Sequence, residues 1–162
     1  MLRELQGRTG GLTEFVPLPF VPMETPLYRK GQARRGPSLR EAILMHAVAR
    51  LVLHRWVANI QTSWVKMGAA GALLCLRAGA NDLGGTLMNE SISRAAGAGH
   101  GQEMSPQMME RLIASIGRTP RPRTTLYAAA PAERMRQARS APPLRSTAVA
   151  SPQLATRALA PP

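Results

Sequence analysis

Between Trp56 and Gly97 the hydrophobic pattern changes period several times. Val57, Asn59, Gln61 and Ser63 alternate with Ala58, Ile60, Thr62 and Trp64, and this two-residue period predicts a strand over 57–64. Lys66 to Gly68 predicts a turn. Ala69 to Ala78 places Leu73, Leu74, Cys75 and Leu76 among alanines before Gly79, which predicts a helix ended by a glycine. Ala80 to Gly84 reads as a second short strand. Strand, helix and strand within about thirty residues form one right-handed crossover of a parallel sheet.

The flanking segments extend this alternation. Met1 to Gln6 resembles the last turns of a helix stopped by Gly7, Gly10 and Gly11, as expected of a chain that starts inside a larger one. Leu12 to Val16 reads as a strand that Pro17 and Pro19 terminate, because proline has no N–H for the ladder. Phe20 to Pro37 shows no apolar period and predicts a long loop of the lid or binding kind. Ser38 with Glu41 forms a capping box opening a helix to His54. Ala42, Met45, Ala49 and Val52 are expected on its core face, and His46, Arg50 and His54 on its polar face. Ser105-Pro106 opens another helix, with a stripe of Met108, Met109, Leu112, Ile113 and Ile116. Thr124 to Tyr127 predicts one more short strand.

Three strand-then-helix units suit an open doubly wound sheet or a sector of a barrel. A closed eight-unit barrel takes about 250 residues, so residues 1–127 supply at most a piece of one. Ala128 to Pro162 is rich in Ala, Pro and Arg without a sustained period, which predicts a mostly disordered tail with a helical turn or two near Ala132 to Ser140.

Composition changes the picture in two places. The formal net charge is +12, yet Trp56 to Glu110 holds three basic and four acidic residues, whereas Arg118 to Pro162 holds eight arginines against Glu133. The excess is therefore expected in a loop and the tail, with no aromatic interleaving, helix-turn-helix or zinc pattern to support sequence-specific nucleic-acid binding. Cys75 is the single cysteine, which excludes an intrachain disulfide and a cysteine-based metal site; a packing role fits it best. A reducing, cytoplasmic setting is the expectation. No apolar run approaches the roughly 20 residues that span a bilayer.

Ligands of parallel α/β folds bind at the C-terminal ends of the strands, and the uncharged polar residues gather there. Asn59, Gln61 and Ser63 share one strand face, suited to substrate contact or to buried structural hydrogen bonding. Asp82 and Glu90 are the acids nearest a strand end, the alternatives being a turn acid and a helix N-terminal charge. Thr86 follows the Gly84-Gly85 turn, His100 stands between glycines, and Trp64 is placed either to wall a pocket or to fill the core. The arginines of residues 29–35 suit an anionic group, a partner or plain solvation. No catalytic residue is assigned.

The runs TEFVPLPF (13–20), RKGQARRGPSLREAILMHAVARLVLH (29–54), NIQTSWVKMG (59–68), AGANDLGGTLMNESISRAAGAGHGQEM (78–104) and GRTPRPRTTLY (117–127) resemble the C-terminal part of the FO synthase family, in its tyrosine-using half. The resemblance implies the C-terminal sector, about three βα units, of a radical-SAM TIM-type barrel. It implies a transferase of coenzyme F-420 biosynthesis, in which a 4Fe-4S cluster cleaves S-adenosylmethionine and the hydroxybenzyl group of tyrosine is joined to 5-amino-6-ribitylaminouracil. The family holds its cluster with three cysteines spaced C-x-x-x-C-x-x-C, one per iron, and this chain has only Cys75. The chain alone is therefore expected to be inactive, and its partner is the missing N-terminal barrel half or a second synthase component. A truncated, non-functional reading frame and a basic nucleic-acid-binding protein are the alternative readings.

Overall fold

The computed structural model describes residues 1–87, 90–101 and 103–143. The described elements run α1 (Leu2–Thr9), β1 (Glu14–Phe15), α2 (Pro26–Arg29), α3 (Leu39–Leu53), β2 (Asn59–Ile60), α4 (Trp64–Arg77), α5 (Ile92–Ala95), α6 (Pro106–Ala114) and α7 (Ala132–Ser140). The result is a mixed helix-and-sheet fold around a small, incomplete sheet. β1 and β2 are parallel with Glu14 opposite Asn59 and Phe15 opposite Ile60. The third predicted strand is reduced to a parallel bridge, Gln61 opposite Asp82.

Backbone hydrogen bonds nonetheless run across all three segments: Gln61 N to Phe15 O, Asn81 N to Ile60 O and Thr62 N to Asp82 O, at 2.9–3.0 Å. The three segments lie side by side in chain order, with α3 and α4 as the connecting helices. Arg50 staples the N-terminal ends of the second and third segments. It donates to Gly79 O at 2.8 Å, Ala58 O at 2.9 Å and Asn81 Oδ1 at 2.6 Å, and Asn81 Oδ1 also accepts from Ile60 N. Burial lowers the Arg50 pKa, with Arg118 a lesser cause.

The sheet sorts its side chains by parity. Ile60 and Thr62 are completely buried and join Val57, Ala72, Cys75 and Leu76 in or beside the core under α3 and α4. Glu14, Asn59, Gln61 and Asp82 lie on the opposite face, as the pairing and the two-residue period require.

Several expectations are corrected. The strand predicted over 57–64 stops early because Trp64 already opens α4, whose predicted start was Ala69. The predicted turn survives as a break inside that helix, where Gly68 has φ 67° and ψ 173°. The capping box at Ser38 and Glu41 is present, and Ser105 Oγ accepts from Met108 N. The core face of α3, however, is Ala42, His46, Ala49 and Leu53. His46 is fully buried, while Met45 and Val52 are about half exposed. The His46 Nδ1 donates to Ala42 O at 2.7 Å, and its Nε2 has no hydrogen-bond partner among the described residues.

Thr124 to Tyr127 forms a turn instead of a strand, with one antiparallel bridge from Arg123 to Ala129. The long loop contains the single turn of α2. Within the predicted tail, Ala132–Ser140 is a nine-residue helix joined to α6 by Gln107 Nε2 to Arg139 O and by an Arg139–Glu110 ion pair. Residues 144–162 lie outside the described residues. No described helix is long and apolar enough to cross a membrane.

Candidate functional site

The polar face of the sheet carries a five-residue network drawn from four parts of the chain. Arg123 Nε donates to Asp82 Oδ2, and Arg123 Nη2 donates to Gln61 Oε1 at 3.2 Å and stands 3.8 Å from Glu14 Oε2. Tyr127 Oη donates to Glu14 Oε2, and the Arg123 guanidinium lies 4.1 Å from the centre of the Tyr127 ring. The Asp82 side chain is only 8% exposed, so its charge needs such a partner. Asp82 in turn raises the Arg123 pKa, chiefly through their hydrogen bond. Burial first and then the hydrogen bond to Glu14 push the Tyr127 phenol well above its ordinary value.

A tight turn delivers these two side chains. Thr124 N donates to Ala128 O at 2.9 Å, Ala128 N donates to Thr124 Oγ1 at 3.2 Å, and Tyr127 takes a left-handed φ of 62°. Such a conformation is uncommon for a bulky residue. Residues 123–129 thus form a strap lying against the polar face of the sheet.

At the C-terminal ends of the strands the Gly84-Gly85 turn is clamped from two sides. Gly84 N donates to Asp82 Oδ1 at 2.6 Å, and Trp64 Nε1 donates to Gly85 O at 3.0 Å. Glu90 receives the Ser93 amide on both carboxylate oxygens at 3.0 Å, and Lys66 Nζ donates to the hydroxyl of fully buried Ser93. His100 Nδ1 donates to Val65 O at 2.9 Å, beside the break at Gly68; a Cβ on Gly68 would meet the imidazole at 2.9 Å.

The sequence candidates therefore separate. Gln61 and Asp82 meet in the network, and Asp82 also holds the glycine turn. Asn59 Nδ2 donates to Thr13 O at 2.9 Å, a bond between strand segments. Ser63 is the N-cap of α4 with no side-chain capping bond. Trp64 is 3% exposed and belongs to the core, its indole N–H bonding the turn. Glu90 serves the start of α5, and Thr86 is exposed. His46 leaves the polar face for the interior, and His54 stays exposed.

Glu14, Arg123 and Tyr127 were not anticipated. Arg118 and Arg123, counted with the tail charge, are built into the fold: Arg118 Nη1 donates to Ala80 O at 2.9 Å. The alternation that placed Asn59 and Gln61 on one face would also have placed Glu14 there, once β1 and β2 were paired.

The donor set does not fit an iron-sulfur cluster. Cys75, the chain's one cysteine, is buried, and burial pushes its thiol up. Among the described residues no three His, Cys, Asp or Glu side chains are grouped to hold a metal ion. A groove of about 790 Å³ runs along the outer edge of β1 and α3, lined by Phe15, Leu18, Arg34, Met45 and Val48 among others.

Residues 9–135 match the family described as the CofH/MqnC C-terminal region. The FO synthase of Streptomyces coelicolor is 53% identical over 138 residues, which are 85% of this chain and 16% of that protein. The FO synthase of Mycobacterium tuberculosis is 53% identical over 128 residues, 79% of this chain and 15% of that protein. The 5-amino-6-(D-ribitylamino)uracil-L-tyrosine 4-hydroxyphenyl transferase of Methanopyrus kandleri is 54% identical over 126 residues, 78% of this chain and 34% of that protein. The chain thus spans about a third of the length of the last and about a sixth of the length of the other two.

Proposed function

The chain belongs to the family of the CofH/MqnC C-terminal region, and on that premise we propose that it forms the substrate-facing C-terminal sector of an FO synthase. In that reading the whole enzyme is a radical-SAM barrel joining the hydroxybenzyl group of tyrosine to 5-amino-6-ribitylaminouracil in coenzyme F-420 biosynthesis. The carrying observation is the polar face of the sheet, to which three parallel segments contribute Glu14, Gln61 and Asp82, with Asp82 and Gln61 beside a clamped glycine turn at the C-terminal ends. The strand C-terminal ends are where barrel enzymes place their sites.

The cluster and S-adenosylmethionine would supply the radical, and no step through them is assigned to these residues. What this chain contributes is shape and hydrogen bonding: Gln61, Ser63, Thr86 and the Gly84-Gly85 backbone at the strand ends, above a floor made by the Arg123 strap. His100, with Nδ1 committed as a donor to a carbonyl, keeps Nε2 as an acceptor and is the candidate for a substrate N–H or O–H.

The remainder of the barrel has a place to dock. β1 pairs only with β2 among the described residues. Leu44, Met45, Val48, Leu51 and Val52 are exposed along α3, Leu51 by 80%. An unpaired strand edge beside an uncovered apolar helix face is what one more βα unit would cover.

The test is to supply the chain with the N-terminal remainder of an FO synthase, fused or in trans, and assay the coupled product from tyrosine and ribitylaminouracil. The combination is expected to form product. The chain alone, after anaerobic reconstitution and dithionite, is expected to hold no stoichiometric iron or sulfide and to release no 5′-deoxyadenosine. Tyrosine-dependent deoxyadenosine from the chain alone would overturn the reading.

A further inference from the structure

We propose that Gln61 is a hydrogen-bond donor to a carbonyl or carboxylate oxygen of one substrate, its amide held in that sense by Arg123. This rests on the reading above that the polar face belongs to the substrate pocket. An arginine guanidinium has only donors, so the Gln61 atom 3.2 Å from Arg123 Nη2 is its oxygen. The amide nitrogen is then turned away from the cation.

That nitrogen lies against Gly84, where a Cβ would stand 3.1 Å from it. Gly84 has φ +76°, and among the described residues a Cβ on Gly85 would meet nothing within 4 Å, so the turn is uncovered by them at Gly85. The described hydrogen bonds give Gln61 Nε2 no protein acceptor, while its Oε1 is taken. Two N–H groups thus stand without a described protein acceptor beside the glycine turn at the C-terminal edge of the sheet, where an incoming acceptor could use them.

Neither side of this arrangement is loose. Arg123 is fixed by Asp82, by the carbonyl of Thr124 at 3.1 Å and by the Tyr127 ring. The turn is fixed by Asp82 and Trp64. Arg123 is therefore a positioning residue that sets the polarity of Gln61 without touching substrate. Both substrates of the proposed reaction offer acceptors, the ring carbonyls of the uracil and the carboxylate of tyrosine, and the kinetics distinguish them.

The experiment is Gln61→Glu in an FO synthase carrying this segment as its C-terminal region. Glutamate keeps the shape and gives Arg123 a charged partner, but replaces the N–H donors with an oxygen. The expected result is an unchanged or higher Tm with the KM for one substrate raised about tenfold or more, since an unmatched buried polar contact discriminates strongly. Which KM rises identifies the oxygen. Gln61→Met, which lacks both donor and acceptor, and Arg123→Lys, which keeps charge but loses the fork, are expected to raise the same KM.

Unchanged KM values for both substrates in Gln61→Glu would overturn the assignment, as would activity and Tm falling together in all three variants. If Ser63→Ala and Thr86→Val still raise a KM in that case, the pocket reading survives and only the role of Gln61 fails. If none of these variants moves either KM, the pocket reading falls with it.

Discussion

The polar face of the sheet and the outer flank of β1 are built from the same short strand, yet they solve opposite problems. On the polar face every charge has found a partner: Glu14 meets Tyr127, and Asp82 meets Arg123. On the outer flank the β1 edge has no described strand partner, α3 exposes six large apolar side chains, and a second groove of about 320 Å³ continues the first toward α1. Buried charges must be satisfied within the piece of chain that carries them, because an unpaired one costs several kcal/mol. An apolar face has no such local requirement and can be left for another segment to cover.

Truncating the strap should break this contrast most severely. Arg123→Ala leaves Asp82 almost buried without its cation and is expected to cost about 2–4 kcal/mol, read as a lower urea midpoint with the slope preserved. Arg123→Lys should recover part of that. If Arg123→Ala costs no more than an ordinary surface substitution, the network is not what holds the polar face.

The legible parts of this fold were those with a local cause. Ser38 with Glu41, and Ser105 with Pro106, declare helix starts within four residues, because the cap bonds its own first turn. Two-residue alternation declared the shared face of Asn59 and Gln61 in the same way. The α3 face was misread because the sequence offers two phases one residue apart, Ala42-Met45-Ala49-Val52 and Ala42-His46-Ala49-Leu53, and the alanines belong to both. Histidine counts as polar in a pattern, yet here the carbonyl one turn earlier satisfies one ring nitrogen inside the core. The strap was illegible for another reason. Arg123 and Tyr127 reach residues 41, 62 and 113 positions away, and nothing near them in sequence signals those contacts.

Tyr127→Phe sharpens the comparison at intermediate strength, with an expected loss of about 1 kcal/mol at neutral pH for one hydrogen bond to a carboxylate. Its pH dependence has a definite sign. The folded-state phenol pKa lies above the ordinary value of about 10, so the stabilisation is full below pH 10 and is lost as the pH rises through the folded pKa. Comparing denaturation at pH 8 and pH 11 should show that Tyr127→Phe lacks this component of the alkaline loss.

The smallest effect on stability belongs to the outer flank. Val48→Glu and Leu51→Glu should change the unfolding free energy by no more than about 0.5 kcal/mol, while reducing self-association in light scattering and abolishing activity restored by the N-terminal remainder. A large stability loss would mean that this face is already covered within the chain.

The Arg50 staple and the Arg123 strap also divide the order in which the molecule assembles. Arg50 joins residues 8, 29 and 31 positions away, whereas the Tyr127–Glu14 contact closes a separation of 113. Loop closure grows costlier with length, so the stapled crossover is expected early and the strap late. Interactions that form after the rate-limiting step leave the folding rate alone and set the unfolding rate. In stopped-flow kinetics Arg50→Ala should slow refolding and Arg123→Ala should accelerate unfolding, which makes the strap the part that sets how long the assembled sheet lasts.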